Sequence, residues 1–356
     1  MEWWSRPGTR QTPAPFFTDA ELDDVRRFYS DAHEARPTPL RHLPVLAASL
    51  GIDDVLVKDE TARFGLPAFK IVGAKYAIAR LVDGRRTPLR HLACATAGNH
   101  GRAVARAAAD LGLESHIYVP VGTTRPRVDA LRSEGAHVVV TSVGYDETVR
   151  LMAEDADEFG WTIVSDTAWT GYETIPRWIM AGYTRILEEA AADWGPRPPD
   201  VVIVQAGVGS LAGAAAGWLA ARFGDDRPRL LTVEPSGAAC VLASLRAGQP
   251  TVLESCGPTE MVGLRCAEVS PLAWRALDNV VDAAIAIGDA HADDAITQLR
   301  HPAAGDPAIH AGASGAAGVA ALLALMRDPA LGKLRRALGI TSATRALAIV
   351  TEGARG

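Results

Sequence analysis

Three short segments hold side chains whose types and spacing could do chemistry. In Arg63-Phe64-Gly65-Leu66-Pro67-Ala68-Phe69-Lys70 a lysine follows an apolar run, with a helix expected from about Gly73. Apolar surroundings and the positive end of a helix both disfavour an ammonium, which suits Lys70 to serve as an imine-forming amine. The same pattern also fits a lysine that merely reaches water from a helix start. In Thr96-Ala97-Gly98-Asn99-His100-Gly101-Arg102 small residues join the run HLACAT to an Ala-rich helix. Backbone N–H groups there can approach an anion and Asn99 offers an amide, although an ordinary strand-to-helix turn looks alike. In Gly207-Val208-Gly209-Ser210-Leu211-Ala212-Gly213, directly after VVIVQ, glycines let the chain curl so that backbone donors and Ser210 hold a phosphate at a helix N-terminus.

The elements that must position these residues alternate. DVLVKD, HLACAT, HIYVP, HVVVT, TIVSD, VVIVQ, LLTVE and ALAIVTE read as strands, separated by Ala-rich helical runs, and strands alternating with helices imply a parallel sheet. Ala74, Ala77, Ile78 and Leu81, like Val104, Ala107, Ala108 and Leu111, recur at helical spacing. Residues 1–50 are expected as a Pro- and Arg-rich lead-in wrapped on the surface, with one helical patch near Asp19 to Ser30 that Thr18 could cap. Gly195-Pro196-Arg197-Pro198-Pro199 is the strongest linker signal. Two domains are expected, residues 1–85 with 191–356 forming the larger and an inserted 86–190 the smaller.

Composition excludes several classes. A net charge of -6 argues against a nucleic-acid surface, which needs a basic stripe. No run approaches the ~20 apolar residues of a membrane span and the start lacks a signal-peptide core, so a cytoplasmic protein is expected. Cys94, Cys240, Cys256 and Cys266 are widely spaced without a C-x-x-C pair. They are expected as reduced core thiols, with neither a disulfide framework nor a metal.

A rival to the phosphate-cup reading comes from Glu234, which ends LLTVE about where a nucleotide-binding unit places its ribose carboxylate. The glycine spacing is G-x-G-x-x-x-G, a weak match to the dinucleotide fingerprint, and an NAD-dependent oxidoreductase would leave Lys70 and Asn99 without a task.

In order along the chain, KDETARFGLPAFKIVGAKYA, GNHGR, RVDALRSEGA, GYDETVRL, SDTAWTGYETIPRWIMAGY, QAGVGSLAGA, VEP, GLRCAE and TEG resemble the fold-type II pyridoxal-phosphate enzymes. That family includes threonine dehydratases, cysteine synthases and diaminopropionate ammonia-lyases; the last are the most similar, and the resemblance runs from about Arg36 to Gly353. It implies an α/β fold of two open, twisted, mostly parallel sheets flanked by helices, and pyridoxal 5'-phosphate as cofactor. It further implies a homodimer and β-elimination from a small L-amino acid through an aminoacrylate. The alternatives are a β-replacement synthase and a pyridoxal-phosphate-binding regulator without activity.

Carried over by motif, Lys70 is the Schiff-base lysine, with Phe69 beside it. Asn99 bonds the cofactor's ring oxygen, Gly207, Val208, Gly209 and Ser210 bind its phosphate, and Thr351 faces the pyridine nitrogen. Asp166 handles the Cα proton of the L-substrate, where without the resemblance it would read as a helix N-cap. Thr96, Ala97, Gly98, His100 and Ala313 fall on the substrate positions. The chain departs from the pattern at Ala97 and Ala313, where the ammonia-lyases carry carboxylates, and at Cys266-Ala267, where they read Cys-Gly. Losing two carboxylates weakens a pocket for a second ammonium, so a neutral or anionic leaving group is an expectation too.

Overall fold

The structure is a computed structural model that describes residues 1–8, 14–31, 36–84 and 88–354. Its strands are β1 (Glu2–Ser5), β2 (Leu40–His42), β3 (Asp54–Asp59), β4 (His91–Ala95), β5 (Glu114–Val119), β6 (His137–Val140), β7 (Thr162–Ile163), β8 (Val201–Gln205), β9 (Arg229–Pro235), β10 (Ala283–Ile287) and β11 (Arg345–Val350). Each of the eight expected runs carries one. TIVSD keeps only Thr162 and Ile163, because after the bond from Val164 N to Ala93 O the chain leaves the ladder and bends at Asp166.

Two compact units form, Met1–Phe69 with Tyr183–Gly356, and Lys70–Gly182. The expected boundary at 85/86 lies outside the described residues, and that at 190/191 falls inside the helix Thr174–Asp193. Helix Lys70–Asp83 goes with the smaller unit because it packs along helix Asn99–Asp110. The Gly-Pro-Arg-Pro-Pro segment is no linker between units: it lies wholly within the larger one, connecting helix Thr174–Asp193 to β8.

The larger unit is built on a seven-stranded sheet of order β1-β10-β9-β8-β11-β3-β2, parallel except for the edge strands β1 and β2. β10 escapes a reading by propensity because its sequence, AAIAI, is mostly alanine. It is nevertheless buried along its whole length between β1 and β9, where small residues suit a strand covered on both faces. The lead-in is also not a surface wrap: β1 closes one sheet edge, and Leu43, Leu46, Ala47 and Leu50 join the core of β3, β8, β11 and helix Ala313–Arg327. Thr18 does cap helix Asp19–Asp31, in a reciprocal capping box with Glu21.

The smaller unit carries a four-stranded parallel sheet of order β6-β5-β4-β7. Ala93, Tyr118, Met152 and Ala156 form a core on it. Ala74, Ala77, Ile78 and Leu81 are buried as their spacing requires, whereas Leu111 lies past its helix and is 48% exposed. Among the described residues no helix is long and apolar enough to cross a membrane. None of the four cysteines is in a disulfide, but only Cys94 and Cys240 are core thiols; Cys256 and Cys266 are half-buried.

Candidate active site

In the smaller unit Lys70 is the first residue of its helix, three positions earlier than expected. Its Nζ donates to Asp166 Oδ2. Burial opposes ionisation of Asp166, yet the Lys70 ammonium beside it holds its carboxyl well below the usual carboxylate range. Asp166 caps no helix; it stands in a bend eight residues before helix Thr174–Asp193 begins. Tyr172 fixes that bend, its hydroxyl accepting from Ser165 N and donating to Ile163 O, both at 2.9 Å. The Tyr172 ring stacks on Trp169 at 4.0 Å.

His100 joins this pair. Its Nε2 lies 3.0 Å from Val164 O, which can only accept, so Nε2 carries the hydrogen. Burial lowers the pKa of His100, leaving a neutral ring whose Nδ1 is buried without a hydrogen-bond partner, 3.9 Å from Asp166 Oδ2. Thr96 Oγ1 accepts from Gly98 N at 3.1 Å, and Thr96, Ala97 and Asn99 are half-buried, with Asn99 opening its helix behind an N-cap glycine. Arg102, a residue of the same motif, instead pairs with Glu134 at 2.6 Å.

In the larger unit the chain from Lys58 to Phe69 is held by buried charge. Lys58 and Arg63 both donate to Glu189 Oε2 at 2.7 Å, and Arg63 also bonds Glu60 at 2.6 Å; all four side chains are at most 2% exposed. Burial would raise the Glu189 pKa, but Arg63 and Lys58 bring it down to about 2. Beyond this network Ala68 bridges to Glu352, Gly353 N donates to Pro67 O at 2.9 Å and Phe69 N to Thr351 O at 3.1 Å. Phe69 is buried against Tyr183, with ring centroids 4.8 Å apart.

Gly207, Val208, Gly209 and Ser210 follow β8 and enter helix Ser210–Phe223, whose N-cap Gly209 offers no capping side chain. Gly209 has φ +91°, and a Cβ there would lie 3.1 Å from Leu277 and 3.2 Å from Ala273. A Cβ on Gly207 would lie 3.2 Å from both Cys266 Sγ and Gly263 O. The two glycines therefore keep backbone bare at the positive end of a helix, the requirement of a phosphate cup. Gln205, which the sequence reading passed over, ends the otherwise apolar β8. Its Nε2 lies 3.0–3.1 Å from the carbonyl oxygens of Ser314, Gly315 and Ile349 and 2.9 Å from Thr351 Oγ1. Thr351 Oγ1 thus accepts from the amide and keeps its own hydrogen to give. Ala313 opens helix Ala313–Arg327 half-buried, and the Glu352 carboxylate is the nearby charge, with Oε1 3.1 Å from where a Cβ on Gly312 would sit.

Glu234 does not present a ribose carboxylate. It is fully buried, and its two oxygens accept from Val241 N and Leu242 N at 2.7 Å. With that the dinucleotide reading loses its acidic group.

Residues 32–342 match the family described as pyridoxal-phosphate dependent enzyme. The chain belongs to this family. Pyridoxal 5'-phosphate is its cofactor, and each unit taken by itself offers groups of matching chemistry: in the smaller, a lysine beside a half-buried carboxylate and the His100 Nδ1; in the larger, a glycine turn at a helix N-terminus that a Cβ would crowd, and the Thr351 hydroxyl. Across 358 residues the chain is 38% identical to diaminopropionate ammonia-lyase of Escherichia coli K12, covering 96% of this chain and 90% of that one. The holo form of the E. coli enzyme superposes with a TM-score of 0.90 at 36% identity, covering 99% of this chain and 93% of that one. Its complex with an aminoacrylate-PLP azomethine reaction intermediate gives 0.89 at 37%, with the same coverage.

Proposed function

We propose that this pyridoxal-phosphate enzyme is an ammonia-lyase that acts by β-elimination on a small L-amino acid, with L-2,3-diaminopropionate the first substrate to test. The observation that carries this is the contact between Lys70 and Asp166, an amine and a carboxylate held ionised beside a neutral histidine. When bound, the cofactor supplies an aldehyde that condenses with amines and a ring that draws off the electron pair left at Cα.

Lys70 is the amine that anchors the cofactor. Asp166 stays ionised because of its partner, so it can accept a proton from the Cα of an L-substrate; Lys70, once released, is a second base at the same spot. The His100 ring, pinned through Nε2, holds a lone pair near Asp166 and brings no competing positive charge. Gly207, Val208, Gly209 and Ser210 hold the phosphate, Asn99 bonds the ring oxygen and Phe69 packs beside the anchor. The Thr351 hydroxyl, oriented by Gln205, donates to the pyridine nitrogen and leaves it without a proton. Thr96, Ala97, Gly98, His100 and Ala313 line the substrate. With diaminopropionate the balance is one substrate and one water to pyruvate and two ammonia.

A second reading concerns the leaving group. Ala97 and Ala313 present no carboxylate to a β-ammonium, which favours a substrate whose β-substituent is neutral or anionic. The test records absorption spectra of the purified holoenzyme during addition of L- and D-diaminopropionate, L-serine, O-phosphoserine and O-acetylserine, with pyruvate assayed in parallel. Pyruvate from L-diaminopropionate supports the ammonia-lyase, and pyruvate from another L-substrate alone supports the altered leaving group. A shifted band without pyruvate points to β-replacement, and a band unmoved by any substrate removes the lyase. The proposal extends to a cytoplasmic homodimer, checked by cell fractionation and light scattering.

A further inference from the structure

On the small sheet, away from Lys70 in sequence and in role, four side chains from three adjacent strands converge. His91, Glu114 and His137 are the first residues of β4, β5 and β6, and His116 lies two residues beyond Glu114, hence on the same face of β5. The register sets His91 opposite Glu114 and His116 opposite His137. His91 Nδ1 lies 3.3 Å from His116 Nε2 and 3.7 Å from Glu114 Oε2, and His137 Nε2 lies 3.4 Å from the same Glu114 oxygen. Ligands ~2.0–2.2 Å from a tetrahedral ion stand about 3.3–3.6 Å from one another; the donor atoms of His91, Glu114 and His116 all lie within 4.8 Å of one another, so a small inward shift would close them on an ion. The Trp161 ring stacks on His116 at 3.7 Å with 5° between planes, fixing the imidazole's orientation.

We propose that His91, Glu114 and His116 form a binding site for a divalent transition ion of the zinc class, its fourth position left to water. Imidazoles with one carboxylate suit such an ion; magnesium and calcium require oxygen shells. A hydrogen bond between imidazoles accounts for the His91 and His116 contact alone, whereas an ion would draw Glu114 and both imidazoles to one point. An ion here would tie the beginnings of β4 and β5 together. The inference is independent of the lyase reading. The sequence announces no such site because its cysteines lack a metal spacing and these histidines and Glu114 are scattered from residue 91 to residue 137.

The test titrates Zn²⁺ into the untagged, chelator-treated holoenzyme by calorimetry, beside His91→Gln and His116→Phe, the latter chosen to keep a ring on Trp161. One Zn²⁺ per chain is expected, weakened in each variant by at least ~100-fold, the upper end of what loss of even an outer-shell partner costs. Absence of stoichiometric binding overturns the proposal, as does equal binding by wild type and variants. Should a variant fail to fold, the cobalt(II) spectrum of the wild type decides. Visible absorption of a four-coordinate N/O site supports the proposal, and thiolate-to-cobalt charge transfer or a purely octahedral spectrum overturns it.

Discussion

Replacing Gln205 by Glu changes one atom of the side chain and tests the polar clasp behind Thr351. In the native protein Nε2 faces three carbonyl oxygens and the Thr351 hydroxyl, all within 3.1 Å. The opposite amide orientation would set oxygen against oxygen, so the network decides it. A carboxylate placed there meets three carbonyl oxygens with no hydrogen to offer, and the variant can fold only with the introduced carboxyl protonated. Holding a carboxyl of ordinary pKa ~4.3 neutral at pH 7 costs about 4 kcal/mol. The sign follows from linkage: the folded pKa is raised, so the stability is intact below the unfolded pKa and is lost as pH rises, by ~1.4 kcal/mol per unit up to the folded pKa. Between pH 5 and pH 7 Gln205→Glu should therefore lose about 2.7 kcal/mol relative to wild type, or roughly 5–11 °C in unfolding midpoint for a unit of this size. Gln205→Leu forgoes about 1–3 kcal/mol of hydrogen bonding but also removes Oε1, which is buried without a partner. Its net change should stay within ~2 kcal/mol and not vary with pH. Thermal unfolding of the three proteins at pH 5, 6 and 7 measures all of this. A pH-independent loss in Gln205→Glu would refute the clasp.

Asp166→Asn keeps a partner for Lys70 but cannot take a proton, so turnover of L-substrates should fall about 10²–10⁴-fold while the lysine-linked absorption band persists; steady-state pyruvate formation checks it. Gly209→Ala must adopt φ +91° and push against Leu277 and Ala273, which costs ~1–3 kcal/mol. It should weaken the cofactor, seen as a raised dissociation constant in equilibrium dialysis. The Glu189 pKa is depressed to about 2, so its stabilisation is complete above the unfolded carboxyl range and lost as pH falls from roughly 5 to 2. Acid unfolding of wild type beside Glu189→Gln tests this. The variant should be less stable at pH 7 by ~3–5 kcal/mol, since Lys58 and Arg63 stay buried, and the difference should shrink towards pH 2.

What was legible in the sequence was whatever its neighbours in the chain could announce. Lys70, Asn99 and Gly209 each sit where a strand or apolar run gives way to a helix, and period and glycine placement reveal such junctions. The helix at Lys70 starts earlier than expected because Ile71 and Val72 are themselves buried helical residues. What escaped depends on pairing across long separations. β10 reads as helix until β1 and β9 enclose it, and Glu189 reads as a surface helix position until Lys58 and Arg63 arrive from β3 and the loop beyond. Gln205 did leave a trace, a single amide ending a strand whose other residues are all apolar. Such a residue is costly unless satisfied, and a polar residue closing a buried strand just before a glycine cup implies a partner opposite. Here the partner is Thr351, at the end of the neighbouring β11, so the sheet register, more than either motif, brings the hydroxyl and its orienting amide together.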